Sequence, residues 1–189
     1  MSFTEVYQRI KQKSEAFWAT KELDPFVYGF QIQQGTKWKA GLNDEDIIDF
    51  EEALGFKFPV VYKEYLKVMN GTDTDTINIY GSSGHVFTYN TGFYSYPDDL
   101  EAIKTKINWI LDSFGITKAD MIKNHIPNII PIVAHRFLVA DHCDAHPILS
   151  MFGSDVILYD NSLPSFLENN LYGTKPILND VKVPFWIEE

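Results

Sequence analysis

The stretch from Gly41 to Gly71 constrains the fold of this chain most, because it predicts two amphipathic helices joined by a tight corner. Asn43 is a good N-cap for the first helix, since its side chain can accept a hydrogen bond from the unpaired amides of the first turn. The acidic residues 44–46 follow, where negative charge meets the positive end of the helix dipole. Gly55 supplies the left-handed residue that ends a helix. The apolar stripe between them is formed by Ile47, Phe50 and Leu54.

The second helix of the stretch is predicted to have Pro59 at its first position, where the missing N–H is harmless. Asn70-Gly71 is expected to end it. Its apolar face is formed by Val61, Tyr62, Tyr65, Leu66 and Met69. The two helices fold back on each other, and their inner faces need a third surface to cover them. The stretch therefore predicts a structural scaffold that carries no chemistry of its own.

Size and composition predict one folded domain with an aromatic-rich core. The chain has 189 residues, of which 45% are hydrophobic, and it contains 14 Phe, 10 Tyr and 4 Trp. A chain of this length can bury a sizeable core without disulfides or metals. Its single cysteine, Cys143, excludes an internal disulfide framework. The first residues lack the apolar core of a signal peptide, so a cytoplasmic location is expected.

The net charge of −10 is spread over both halves of the chain. No run of Lys or Arg offers a basic patch for phosphates, which argues against direct nucleic-acid binding and against adhesion to an anionic membrane. A basic protein partner is compatible with this charge, because opposite fields accelerate encounter.

The remaining pattern predicts an α+β fold with a largely antiparallel central sheet flanked by helices. Helices are predicted at residues 3–20, 97–115, 117–124 and 162–173, and Asp24-Pro25 is expected to break the first of them. Strands are predicted at residues 26–33, 77–81 and 85–89. The segment 34–41 is expected to be a connector, and 81–84 (GSSG) a loop and not a phosphate-binding P-loop, since it lacks the lysine. From Asn128 onward, four short β-rich runs predict an antiparallel meander. The tail is apolar enough to dock on the body.

The richest polar cluster lies between residues 135 and 146. Its candidate metal ligands are His135, Asp141, His142, Cys143, Asp144 and His146. The cluster lacks the paired spacing of established zinc sites, and neighbouring residues of a strand point to opposite faces, so a structural turn with exposed histidines is favoured over a metal. Cys143 as a nucleophile would need a positioned base, and no nucleophile motif accompanies it. No cofactor is expected.

His135-Arg136 directly follows an apolar strand, and Asp155 and Tyr159 lie on a neighbouring predicted strand. These four residues form either a small polar pocket or a structural ion pair. The ion pair is the favoured interpretation, because an arginine near a sheet edge usually seeks a carboxylate.

The helical stretch resembles the opening motif of the SMI1/KNR4 family, also called the SUKH superfamily. The residues that carry this resemblance are Phe50, Glu51, Leu54, Gly55, Pro59, Tyr62, Leu66, Asn70 and Gly71. The later runs from residue 130 to 171 resemble the second half of one bacterial branch. The chain departs from the family pattern at Phe58 and at Tyr159-Asp160. On this basis, residues 41–172 are the family-like core of a single domain 1–189, preceded by a helix and connector (1–40) and followed by a tail (173–189).

The resemblance implies an α+β domain without established catalytic residues. Many bacterial members resemble immunity proteins that bind polymorphic toxins, often nucleases, in the cytoplasm. The resulting hypothesis is a non-enzymatic, protein-binding immunity protein that occludes a basic toxin domain with an acidic, aromatic-bearing surface. The alternative is a small-molecule- or metal-binding regulatory domain that uses the region His135–His146. The contact face and the oligomeric state stay open.

Overall fold

The computed structural model describes residues 2–26, 29–80, 85–89 and 92–187, and the predicted loop 81–84 therefore lies outside the described residues. The helices of the described part are α1 (Phe3–Trp18), α2 (Asp44–Leu54), α3 (Val60–Val68), α4 (Leu100–Phe114), α5 (Lys118–Asn124) and α6 (Leu163–Tyr172). The strands are β1 (Gly29–Gln31), β2 (Trp38–Ala40), β3 (Met69–Thr72), β4 (Thr76–Tyr80), β5 (His85–Tyr89), β6 (Ile129–Val133), β7 (Arg136–Val139), β8 (Ile148–Phe152) and β9 (Asp155–Asp160).

The four β-rich runs after Asn128 form one antiparallel sheet in chain order, β6-β7-β8-β9. The predicted meander and the α+β class are confirmed. Two smaller antiparallel sheets accompany it, with strand orders β1-β4-β5 and β2-β3. Helix α4 packs against β6, and α6 packs against β9. The helices therefore flank the main sheet.

The predicted helix ends follow from local chemistry. The Asn43 side chain accepts a hydrogen bond from the amide of Asp46, and Gly55 ends α2 with a φ of 85°. Thr117 and Asp120 form a capping box at the start of α5, where the sequence predicts a helix. Ser162 caps α6, and Gly173 ends it in the left-handed conformation.

Four predicted boundaries are wrong. Pro59 is the N-cap of α3, with an extended ψ of 154°, and not its first helical residue. Helix α3 ends at Val68, and Asn70-Gly71 belongs to strand β3. The predicted connector 34–41 contains strand β2, which pairs with β3. Helix α1 ends at Trp18, two residues before the predicted end at residue 20.

The third surface that covers the helical stretch is α1. Its buried Tyr7 contacts Tyr65 of α3 edge-to-face, with ring centroids 5.8 Å apart, and its hydroxyl donates to the carbonyl of Val61 at 2.9 Å. At the other end of the chain, the indole N–H of Trp186 donates to the carbonyl of Pro127 at 2.8 Å. Val183 and Trp186 are buried, so this part of the tail docks as expected, whereas Ile177 and Leu178 are exposed.

Candidate interaction surface

The family-like residues of the helical stretch are used for packing. The Phe50 ring stacks on Tyr96 and meets Phe58 edge-to-face, with centroid distances of 4.6 and 4.9 Å. Leu54, Tyr62 and Leu66 are buried in the same core. These contacts hold the corner between α2 and α3, and Phe50, Leu54, Phe58, Tyr62 and Leu66 are all buried.

Glu51 ties the corner together from inside. Only 2% of its side chain is exposed, and its carboxylate accepts a hydrogen bond from the buried amide of Phe58 at 2.8 Å. The ammonium groups of Lys57 and Lys63 lie 2.8 and 2.7 Å from its two oxygens. Burial by itself raises the pKa of Glu51, but the hydrogen bonds from Lys57, Lys63 and the Phe58 amide outweigh it and lower the pKa below its ordinary value. Glu51 is therefore a charged structural anchor.

Asn70 and Gly71 attach strand β3 to the segment that precedes α4. The Asn70 amide accepts from the backbone N–H of Tyr96 at 2.9 Å and donates to the Tyr96 carbonyl at 2.6 Å. Gly71 has a φ of 73°, and a Cβ at this position would lie 2.6 Å from the carbonyl oxygen of Phe93. Asn-Gly at this place is required by a close approach of two backbones, and not by a helix end.

The structure disperses the candidate metal ligands of residues 135–146. Asp141 accepts from the backbone amide and the side chain of Asn128, both at 2.7 Å. A ring nitrogen of His146 lies 3.1 Å from the carbonyl of Val139, and the Cys143 sulfur lies 3.8 Å from the carbonyl of Lys182. Throughout the described ranges, no group of three or more His, Cys, Asp or Glu side chains is placed to hold a metal ion.

The favoured ion pair between Arg136 and Asp155 is not formed in the described structure. The two residues lie on β7 and β9, the two neighbours of β8. The Arg136 guanidinium instead stacks over Tyr159, with its central carbon 3.8 Å from the ring centroid, and donates to the Ser150 hydroxyl at 2.8 Å. Arg136 and Tyr159 are therefore in contact through a cation–π interaction in which Asp155 takes no part.

Exposed apolar side chains flank the Arg136–Tyr159 contact. Ile157 lies opposite Ser150, which lies opposite Arg136, so the three residues share one face of the sheet. Ile157 is 57% exposed and Phe152, at the end of β8, is 69% exposed. Two large apolar side chains are thus presented to solvent beside a fixed arginine.

Residues from α4 and the β6–β7 turn extend this face. The Trp109 ring meets Phe152 edge-to-face at 5.4 Å, and the Lys106 ammonium lies 5.1 Å from the Trp109 ring centroid. The His135 ring lies 6.3 Å from Phe152. We call this set the hairpin surface, and its members are Lys106, Trp109, His135, Arg136, Phe152, Ile157 and Tyr159.

The electrostatics of the hairpin surface keep His135 neutral near pH 7. Partial burial lowers the pKa of His135, and the neighbouring charges of Arg136 and Lys106 lower it further. Burial also lowers the pKa of Lys106. The surface therefore combines neutral aromatic rings with cations that have already lost part of their hydration. The free-energy cost of removing the remaining water when a partner binds is correspondingly smaller.

The sequence pattern did not reveal four members of this surface: Lys106, Trp109, Phe152 and Ile157. The runs HPILSMF and DVILY are apolar at successive positions. Such a pattern predicts strands buried on both faces and gives no sign of which residues stay exposed. Only the pairing register, with Ile157 opposite Ser150, places Ile157 on the solvated face.

Acidic residues concentrate on a different element, the outward face of α2. Exposed Asp44, Glu45, Asp49 and Glu52 surround the half-exposed Ile48, and we call this face the acidic ridge. Asp44 is paired with Lys67 at 3.0 Å. The acidic ridge and the hairpin surface are therefore distinct, and the exposed aromatic residues of the hairpin surface lie beside Lys106 and Arg136. A single contact surface that is both acidic and aromatic stays a prediction.

The antiparallel sheet flanked by helices makes this chain an α+β domain, and a buried carboxylate ties its helical corner. The SMI1 / KNR4 family (SUKH-1) model matches residues 41–168, and the chain belongs to this family. The predicted resemblance is confirmed. A comparison with curated proteins found no match.

Domains of this family are generally non-enzymatic and in bacteria are often immunity proteins. In the part of the chain that the structure describes, no helix combines the length and apolar character needed to cross a membrane.

Proposed function

We propose that this chain is a cytoplasmic immunity protein that neutralises a secreted, nuclease-type toxin by covering its active-site cleft. Family membership supports the class of function, since domains of this family are often immunity proteins in bacteria. The mechanism is binding without catalysis. The observation that carries the proposal is the hairpin surface, where large apolar side chains stay exposed although their neighbours hold them in place.

The hairpin surface has the composition of a binding hot spot. Trp, Tyr and Arg dominate the energetics of protein interfaces because they bury a large area with little loss of conformational freedom. Phe152 is held by Trp109, and the ring of Tyr159 is covered by Arg136. The anchors are pre-organised, so less conformational entropy is lost on binding.

The net charge of −10 supports a basic partner. A basic nuclease cleft and this chain attract each other over a Debye length of about 8 Å at physiological salt, which raises the rate of encounter. The acidic ridge adds to that field. Lys106 and Arg136 would be repelled by a uniformly basic area of the toxin. The aromatic residues of the hairpin surface are therefore expected to contact the rim of the cleft, where both signs of charge are present.

The test is growth of cells that express the toxin encoded beside this chain, with and without the chain itself. Rescue with formation of a 1:1 complex in titration calorimetry is the expected result. Phe152→Ala is expected to weaken the complex by about 30-fold, the effect of losing a hot-spot residue. Phe26→Ala is the matched control, because Phe26 is equally exposed but is not part of the hairpin surface. Its affinity should equal that of the parent chain.

Two results would contradict the proposal. Growth arrest that persists in the presence of the folded chain would remove the immunity function. A complex that forms but responds equally to Phe152→Ala and Phe26→Ala would keep the function and remove the hairpin surface from it.

A further inference from the structure

A groove opens between the end of α2 and helices α4 and α5, and none of the residues that line it belongs to the hairpin surface. Its cavity volume is about 470 Å³, within the range of roughly 300–1,000 Å³ that small-molecule sites occupy. The floor is apolar and is built mainly from Leu54, Ile107, Leu111, Met121 and Ile129. Most of these side chains are buried members of the core, so the floor is rigid and preformed.

The charged side chains that line this floor are two lysines, accompanied by two histidines and two asparagines. Lys104, Lys118, His125 and His142 line the groove, and none of the described lining residues is acidic. The chain as a whole has 26 acidic and 16 basic residues, so an acid-free lining runs against its composition. Lys104 is paired with Glu101 at 3.1 Å, but the Glu101 side chain is 85% exposed, and such a pair exchanges readily for another anion.

The two histidines of the groove occupy an uncommon backbone conformation. His125 ends α5 with a φ of 52°, and His142 has a φ of 51°. Glycine adopts this left-handed region freely, whereas other residues do so with strain, and such strain clusters at functional sites. The two rings meet edge-to-face with centroids 5.7 Å apart. The groove therefore has imidazole side chains at two positions where glycine would adopt the backbone conformation with less strain.

We propose that this groove binds a small amphipathic carboxylate. The alkyl part of the ligand packs on the apolar floor, and the carboxylate accepts hydrogen bonds from Lys118, Lys104 and the histidine pair. Charge complementarity selects an anion over a neutral or cationic ligand. The cavity volume of about 470 Å³ is ample for a molecule of this kind. This site is separate from the proposed toxin contact, and its failure leaves that proposal untouched.

The probe for the experiment is octanoate, compared by titration calorimetry with octanol and octylammonium, which share its chain length. Octanoate is expected to bind at least about tenfold more tightly than octanol, and octylammonium to bind weakest of the three. Amide chemical shifts in a ¹⁵N-labelled sample should change at Ile122 and His125 and stay constant at Phe152. Equal affinities for the three ligands, no binding of octanoate, or shifts centred elsewhere would each overturn the proposal.

Two substitutions on α5 distinguish the loss of a charge in the groove from a general effect on the fold. Lys118→Gln is expected to weaken octanoate binding about fivefold and leave octanol binding unchanged, because only the anion uses the ammonium group. Lys123→Gln is the matched control: the same change on the same helix at an exposed residue that does not line the groove. His125→Gly relaxes the left-handed residue and should weaken octanoate binding while the chain stays folded. Equal changes in octanoate affinity for Lys118→Gln and Lys123→Gln would show that the groove does not bind the carboxylate through Lys118.

Discussion

Replacing Glu51 by alanine tests the claim that this carboxylate holds the helical corner. The substitution removes the acceptor of the buried Phe58 amide, and an unpaired buried donor costs about 1–3 kcal/mol. It also removes the pair with Lys63, which is one-third exposed and contributes roughly 0.5–1 kcal/mol after allowance for screening by solvent. Lys57 is 73% exposed and returns to water. The expected loss in the free energy of unfolding is therefore about 1.5–4 kcal/mol.

Glu51→Gln separates the hydrogen bond from the charge. Glutamine keeps a carbonyl oxygen for the Phe58 amide, loses the attraction of the two lysines, and no longer requires a charge to be buried. The loss is expected to be about half that of Glu51→Ala, roughly 1–2 kcal/mol. Glu52→Gln is the control, because Glu52 is exposed on the next position of the same helix and should leave the unfolding midpoint unchanged.

The assay is urea unfolding followed by tryptophan fluorescence, since Trp18 and Trp38 are buried in contact with each other. The pKa of Glu51 is lower in the folded chain than its ordinary value of 4.5. The stability that its charge contributes is thus fully present above pH 4.5 and is lost as the pH falls through the lower folded value. The difference between the parent chain and Glu51→Gln should shrink on acidification. A loss below 1 kcal/mol for Glu51→Ala, or a difference that grows in acid, would refute the structural role.

Two further predictions concern the backbone and the hairpin surface. Gly71→Ala should lower the free energy of unfolding by about 2–4 kcal/mol, since the new Cβ meets the Phe93 carbonyl. Gly35→Ala is the control, because Gly35 has a φ of 80° and open space around it, so that substitution introduces only the strain of the left-handed conformation. Urea unfolding of both variants should show the larger loss of stability for Gly71→Ala. His135 should reduce stability in acid: its folded pKa is below the ordinary 6.5, so the unfolded chain binds the proton first and stability falls as the pH drops below 6.5. His135→Gln should lose less stability than the parent between pH 7.5 and 5.5 in urea unfolding, and equal losses would contradict the assigned pKa.

The sequence predicted those elements whose local chemistry and periodicity agree. The Asn43 cap, the left-handed stops at Gly55 and Gly115, and the capping box of Thr117 each act within one helical turn. The meander of β6–β9 follows from short β-rich runs with turns between them. These predictions need no knowledge of what lies across the core.

The errors occurred where a distant segment decides the conformation. Asn70-Gly71 has the composition of a helix end, but Asn70 bonds to the backbone of Tyr96, 26 residues away, and this contact draws the segment into a strand. The sequence motif includes Glu51 but predicts no role for it. Its partners Lys57 and Lys63 lie on the other side of the α2–α3 corner, and the sequence pattern does not predict the geometry of that corner. Hydrogen bonds of this kind leave no periodic trace.

Function in this fold is expected on surfaces that the family-like motif does not fix. The motif residues Phe50, Glu51 and Asn70 are occupied by internal contacts, so exchanging them alters stability before it alters recognition. Phe152 and Ile157 are free of that constraint, since they are exposed and the core does not depend on their size. Under the proposed function, substitutions at the end of the β8–β9 hairpin should therefore alter partner binding while the tied corner preserves the fold. Phe152→Ala should accordingly weaken partner binding at constant stability, whereas Glu51→Ala should lower stability first and binding only as a consequence.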